Sequence, residues 1–176
     1  MKLKSPSPAL FLSNIGNFKT PFHRSQSLFH PLFLPLLPTA MTPTNILETA
    51  LYVTDLSAAS AFYQHLFNLP VLAEDERFCA LDVGGKSVLL LFVQGGSTHE
   101  THLPDGVIPH HDGKGPVHFA FGIAAADLPA WEAKLAAAEI PIEGWANWSR
   151  GGKSIFFRDL DQHLVELATP GIWAIY

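Results

Sequence analysis

Three side chains combine metal-ligating chemistry with a telling spacing: Glu48, His118 and Glu166. Glu48 opens the run Glu48-Thr49-Ala50-Leu51-Tyr52-Val53. His118 opens His118-Phe119-Ala120-Phe121-Gly122-Ile123, 70 residues further on. Both runs show the mixed apolar and polar pattern of a half-buried strand, so a carboxylate and an imidazole start what read as equivalent strands. Glu166 interrupts the apolar stretch Leu164-Val165-Glu166-Leu167-Ala168, where a carboxylate left buried and unpaired would be costly. Two carboxylates and one imidazole form a hard donor set suited to Mn²⁺, Fe²⁺ or Zn²⁺, with Mg²⁺ also allowed. Three protein ligands leave coordination positions open for substrate oxygens or water. Non-haem iron oxygenases commonly use two His and one carboxylate, so Glu48 argues against oxygenation. Lewis-acid isomerisation, lyase chemistry or epoxide opening on a substrate with adjacent oxygens fits better.

Each residue alone has a plainer reading. Glu48 could be a solvated strand end, His118 a hydrogen-bonded core histidine, His163 a turn residue, and Glu166 could be turned to solvent by alternation. The argument therefore rests on the three together. Tyr52, Phe121, Trp145, Trp148 and Phe156 could line a cavity, or could be core, as aromatics at strand spacing commonly are. Arg150-Gly151-Gly152-Lys153 could grip an anionic group or simply turn a hairpin. No general base stands out; Tyr52 and the histidines of residues 94–116 are the candidates.

The elements that must position these residues fall into two series. A strand over residues 49–53 is followed by a helix with Asp55 as N-cap and Ala58, Ala61, Phe62, His65 and Leu66 at helical spacing, stopped by Asn68-Leu69-Pro70. Apolar runs at 71–73, 78–83 and 87–93 complete strand, helix and three strands. The second series has a strand over 117–123, a helix capped by Asp127 with Pro129 in its first turn, and strands near 140–148, 153–157 and 164–168. The segment 94–116 joins them. It carries His99, His102, His110 and His111, which make it a rival metal site or a functional loop over a site, but with no strand or helix to fix those imidazoles it reads better as a solvated connector.

Charge divides the 176-residue chain differently. The first 40 residues hold no acid, four Lys or Arg, five Ser and six Pro. The remaining 136 carry seven Lys or Arg against all sixteen acids, a net charge of −9, which argues against nucleic acid as a partner. The leader reads as a start assigned too early with Met41 the initiator, as an organellar transit peptide, or as a secretory signal. It is expected to be disordered or absent from the working protein. Its apolar stretch, residues 28–37, is too short and too Pro-broken to span a membrane. The protein is expected in the cytoplasm, or in an organelle if the leader is a transit peptide. Cys79 is the single cysteine, which leaves no intrachain disulfide and no thiolate cluster.

Residues 46–169 resemble the vicinal oxygen chelate superfamily, which includes glyoxalase I and the fosfomycin-resistance, bleomycin-resistance and extradiol dioxygenase proteins. The resemblance lies in Ala50-Leu51-Tyr52-Val53-Thr54-Asp55-Leu56 with Ala61-Phe62-Tyr63, in the His118 strand, and in Phe157-Arg158-Asp159-Leu160-Asp161-Gln162-His163-Leu164-Val165-Glu166-Leu167. Leu160 and Gln162 stand where the family usually has Pro and Gly. The resemblance implies an α+β fold of two βαβββ modules, residues 46–93 and 117–169, forming a curved mixed sheet around a metal cavity. It also implies a homodimer, with Glu48, His118 and Glu166 as ligands within one chain or across two. The fourth ligand of glyoxalase I would fall nearest Leu90, so a three-ligand member is the closer match. The substrate is then a small molecule, with Tyr52, Phe121, Trp148, Arg150 and Lys153 as candidate contacts. The other class of reading is a metal-free dimer that sequesters an aromatic or cationic compound.

Overall fold

The computed structural model describes residues 41–176, so the expectations for residues 1–40 lie outside the described residues. The first module runs β1 (Glu48–Val53), α1 (Leu56–Phe67), β2 (Val71–Glu74), β3 (Phe78–Val83) and β4 (Ser87–Val93). The second runs β7 (His118–Gly122), a 3₁₀ turn (Ala125–Asp127), α2 (Leu128–Ala137), β8 (Gly144–Asn147), β9 (Lys153–Arg158) and β10 (Leu164–Ala168). The α+β fold of two βαβββ modules is present. It takes the form of two four-stranded mixed sheets, ordered β1-β4-β3-β2 and β7-β10-β9-β8. In each, the first strand pairs in parallel with the last and the other pairings are antiparallel. β1 and β7 are therefore edge strands of their sheets.

Residues 101–108 depart from the solvated-connector expectation. They form a hairpin of β5 (Thr101–Leu103) and β6 (Gly106–Ile108), and the connector folds back over the first sheet. Its return arm is tied down by His111 N–H donating to Ser97 O at 2.9 Å and Gly95 N–H donating to the Asp112 carboxylate at 3.1 Å.

Helix α1 begins as its sequence requires. Asp55 accepts from Ala58 N–H at 2.9 Å, and Asn68 closes the helix in the left-handed region at φ 55°. Its buried face is Ala59, Ser60, Tyr63 and Leu66, rotated from the face its alanines suggest, because Tyr63 turns inward to donate to Asp159 Oδ2 at 2.6 Å. Asp127 precedes α2 but makes no side-chain cap, since the 3₁₀ turn already holds it in a helical conformation.

Alternation sends Leu51 and Val53, and likewise Val165 and Leu167, to the helix side of their sheets, where they are fully buried. Phe62 and Phe67 of α1, both partly buried, touch both apolar clusters, so removing their apolar surface from water joins the modules. Polar ties reinforce the joint. His163, 1% exposed, accepts from Val117 N–H at Nδ1 and places Nε2 3.3 Å from Tyr52 O. Asp159 Oδ1 accepts from Asp161 N–H and His163 N–H, which holds Gln162 at φ 67° where the family usually has Gly. No helix among the described residues is long and apolar enough to cross a membrane.

Candidate functional site

The parallel register of β7 on β10 sets His118 against Leu164 and Ala120 against Glu166. With Phe119, Val165 and Leu167 turned to the core, His118 and Glu166 share the opposite face. His118 Nε2 lies 3.2 Å from Glu166 Oε2. The remaining polar atoms of both side chains are engaged. His118 Nδ1 is 3.2 Å from Leu164 O, to which it donates, and Glu166 Oε1 accepts from Ser154 Oγ at 2.5 Å. Ser154 in turn accepts from Trp148 Nε1 at 2.8 Å. Glu166 is 7% exposed, so the carboxylate that interrupts an apolar strand is buried and partnered, as its cost demands.

The His118–Glu166 pair has the spacing of two ligands to one cation. In its neutral form, with Nδ1–H given to a backbone carbonyl, the imidazole would turn its Nε2 lone pair towards a carboxylate oxygen. Two lone pairs so placed require a proton or a cation between them. Ligands at about 2.0–2.2 Å from one ion sit roughly 2.9–3.5 Å apart, and the observed separation falls in that range. Fixing the imidazole through its other nitrogen, and the carboxylate through its other oxygen, is the outer arrangement that metal ligands commonly have.

Glu48 stands elsewhere. It is exposed at the start of β1, on the wall of a cavity of about 480 Å³ that Ala50, Tyr52, Leu90 and Phe92 share with His111 of the connector. Glu166 lines a different cavity of about 260 Å³, with Ala120, Gly122 and the C-terminal residues Trp173 and Tyr176. Among the described residues no group of three His, Cys, Asp or Glu could hold one ion. One chain thus brings together His118 and Glu166, and does not bring Glu48 to them.

Of the expected substrate contacts, Tyr52 lines the larger cavity. Trp148 is half-exposed and supports Glu166 through Ser154. Phe121 does not fit that role: it faces the helix side, its ring 4.5 Å from that of Phe67, because position 121 alternates away from His118. Arg150 is exposed in the turn between β8 and β9, closed by Trp148 N–H to Gly152 O and Gly151 N–H to Trp148 O, and Lys153 is exposed at the first position of β9. They line neither cavity. Ser154 and His111 were not singled out for these roles from sequence. A lone Ser in the apolar strand 154–157 was the signal for the first; the second had none, since its partner Tyr52 is 59 residues away.

Residues 45–167 match the Glyoxalase/Bleomycin resistance protein/Dioxygenase superfamily. The chain belongs to this superfamily. Its superfamily relatives include metallothiol transferase FosB of Staphylococcus epidermidis, 30% identical over 121 residues that cover 68% of this chain and 79% of the relative. The corresponding protein of Bacillus licheniformis is 29% identical over 122 residues, covering 69% and 72%. Among solved structures of the superfamily, lactoylglutathione lyase from Agrobacterium tumefaciens superposes with a TM-score of 0.69 at 32% identity, covering 76% of this chain and 99% of that one. The fosfomycin resistance protein FosX from Listeria monocytogenes, at TM-score 0.52 and 20% identity over 74% and 94%, shares the fold.

Proposed function

We propose that this protein is a divalent-metal-dependent enzyme whose site is completed between two copies of the chain. His118 and Glu166 of one copy would join Glu48 of the other. The observation that carries the reading is the His118 Nε2 to Glu166 Oε2 approach of 3.2 Å, with both groups held from behind. The separate cavities of Glu48 and Glu166 and the exposed edge strands β1 and β7 support a homodimer, because edge strands and a half-built site both call for a partner surface. Relatives named as a metallothiol transferase and a lactoylglutathione lyase support enzymatic chemistry on a small molecule.

A bound Mn²⁺, Fe²⁺, Zn²⁺ or Mg²⁺ would supply Lewis-acid polarisation of adjacent substrate oxygens. The chain's own residues orient and neutralise: Ser154 fixes the Glu166 carboxylate, the Leu164 carbonyl selects the His118 tautomer, and Glu48 adds a second carboxylate. Isomerisation, lyase chemistry or epoxide opening remains the reaction class. The test is elemental analysis of purified protein with a thermal-shift screen of divalent ions. Retained metal lost in His118→Ala supports the reading. A metal-free protein without metal-dependent stabilisation overturns it. The aromatic lining of the larger cavity would then favour the second reading, a binding protein that sequesters an aromatic or cationic compound.

A further inference from the structure

The larger cavity is graded from one end to the other by its strand register. Tyr52 on β1 pairs with Phe92 on β4, which pairs with Phe78 on β3. Their rings form one rung across three strands, with centroids 5.9 and 5.8 Å apart and planes within 28° and 29°. His111 closes the rung from above, edge-on to Phe92 at 4.7 Å, with Nδ1 2.8 Å from Tyr52 Oη. Gly113 allows this approach, because a Cβ there would come within 2.6 Å of Tyr52 Cδ2. Arg77 stands beside the rung, its Nη1 donating to Thr101 Oγ1 at 3.2 Å. The next row along the strands is Ala50, Leu90 and Ala80, all apolar, and Glu48 lies beyond it. Four strand residues at about 3.3 Å each separate Glu48 from Tyr52 by roughly 13 Å.

That separation decides what the Tyr52–His111 pair can do. It is too far for direct proton transfer to an atom held at Glu48, so the pair does not supply the missing general base. We propose instead that the Tyr52–Phe92–Phe78 rung and His111 form a recognition subsite for a planar aromatic part of the ligand bearing an oxygen substituent. The ring stacks on the rung and its oxygen meets the Tyr52–His111 pair and the Arg77 guanidinium. Burial, then the nearby Asp112 carboxylate, pushes the Tyr52 phenol above its ordinary value. This subsite deepens the proposed function by giving the substrate an aromatic end remote from its reacting oxygens. Binding at the subsite does not itself need the metal.

The test uses the full chain stripped of metal, titrated with 4-hydroxybenzoate and with trans-4-hydroxycyclohexanecarboxylate, which keeps the charge and approximate length but has a saturated, non-planar ring. Amide correlation spectra locate the binding, and melting temperatures establish that each variant is folded. The aromatic acid should bind wild type and His118→Ala alike, with perturbations at residues 52, 78, 92 and 111. Tyr52→Phe and His111→Ala should each weaken it about tenfold, the scale of one lost hydrogen bond. Ala50→Leu, which fills the exposed floor without removing a contact, should abolish binding. Equal affinity for the saturated acid, perturbations confined to the surroundings of Glu166, or affinity unchanged in both Tyr52→Phe and His111→Ala would overturn the subsite. Absent binding in a protein that retains metal removes the subsite and leaves the metal reading standing. Binding in a protein that never takes up metal does the reverse.

Discussion

Leu90 and Glu166 occupy the same place in the two modules. Leu90 lies opposite Ala50 in the parallel pair of the first sheet, and Glu166 lies opposite Ala120 in the parallel pair of the second. Positions 50 and 120 stand as far apart in the chain as Glu48 and His118, so the two sheets superpose rung for rung. One module presents a carboxylate and a leucine where the other presents an imidazole and a carboxylate. The chain thus carries one donor on its first sheet and two on its second.

Metal retention should depend on the two-donor side. Wild type at a hundredfold excess of ion over its dissociation constant should gain about 2.7 kcal/mol of stability, read as a rise in melting temperature with Mn²⁺, Fe²⁺ or Zn²⁺. His118→Ala should show no such rise and no bound metal by elemental analysis. Glu48→His should keep the fold and move the preference towards Fe²⁺, since it creates the two-His, one-carboxylate set.

A site split between copies makes a complementation experiment decisive. Glu48→Ala and His118→Ala proteins should each lack metal alone. Co-refolded, half the dimers would be mixed and each would hold one intact site, restoring about a quarter of wild-type metal content. If the mixture stays empty while both variants dimerise, the ligands do not meet across copies.

Ser154→Ala should weaken metal affinity by about 10–100-fold, the usual cost of losing a partner that orients a ligand. The hydroxyl donates to Glu166 Oε1, and without it the carboxylate is free to rotate. A competition titration with a chelator checks this. An unchanged affinity would mean the strand already fixes Glu166.

Alkaline pH should expose the joint between the modules. Burial pushes the Tyr63 phenol far above its ordinary value, with the Asp159 charge, the hydrogen bond to Asp159 and the Asp161 charge adding to the effect. The folded state therefore keeps the proton that the unfolded chain loses near pH 10. The contribution is fully present below pH 10 and falls above it by about 1.4 kcal/mol per pH unit. Tyr63→Phe should be about 1.5–3 kcal/mol less stable at pH 7, from the lost bond to a carboxylate, and its decline above pH 10 should be correspondingly shallower. Urea unfolding between pH 7 and 11 measures both slopes.

The strands and helices of the two modules, and their repetition, were legible in the local pattern of residues, while the β5–β6 hairpin of the connector was not. Apolar and polar patterning marks the strands, the Asp55 cap opens α1, and Glu48 and His118 do start equivalent strands. These features were readable because backbone pairing and helix capping act over a few residues. The buried, partnered Glu166 was foreshadowed for the same reason, as a carboxylate inside an apolar strand must find a partner. Which residues face one another followed from packing between the modules. The repeat that makes Glu48 and His118 equivalent also sets them on different sheets, and Glu48 and Glu166 line separate cavities. The fold-back of the connector onto Tyr52, the alignment of Ser154 with Glu166 and the turning of Phe121 into the core depend on how two modules pack through Phe67, Tyr63 and His163. Those contacts join residues far apart in the chain, and local periodicity carries no record of them.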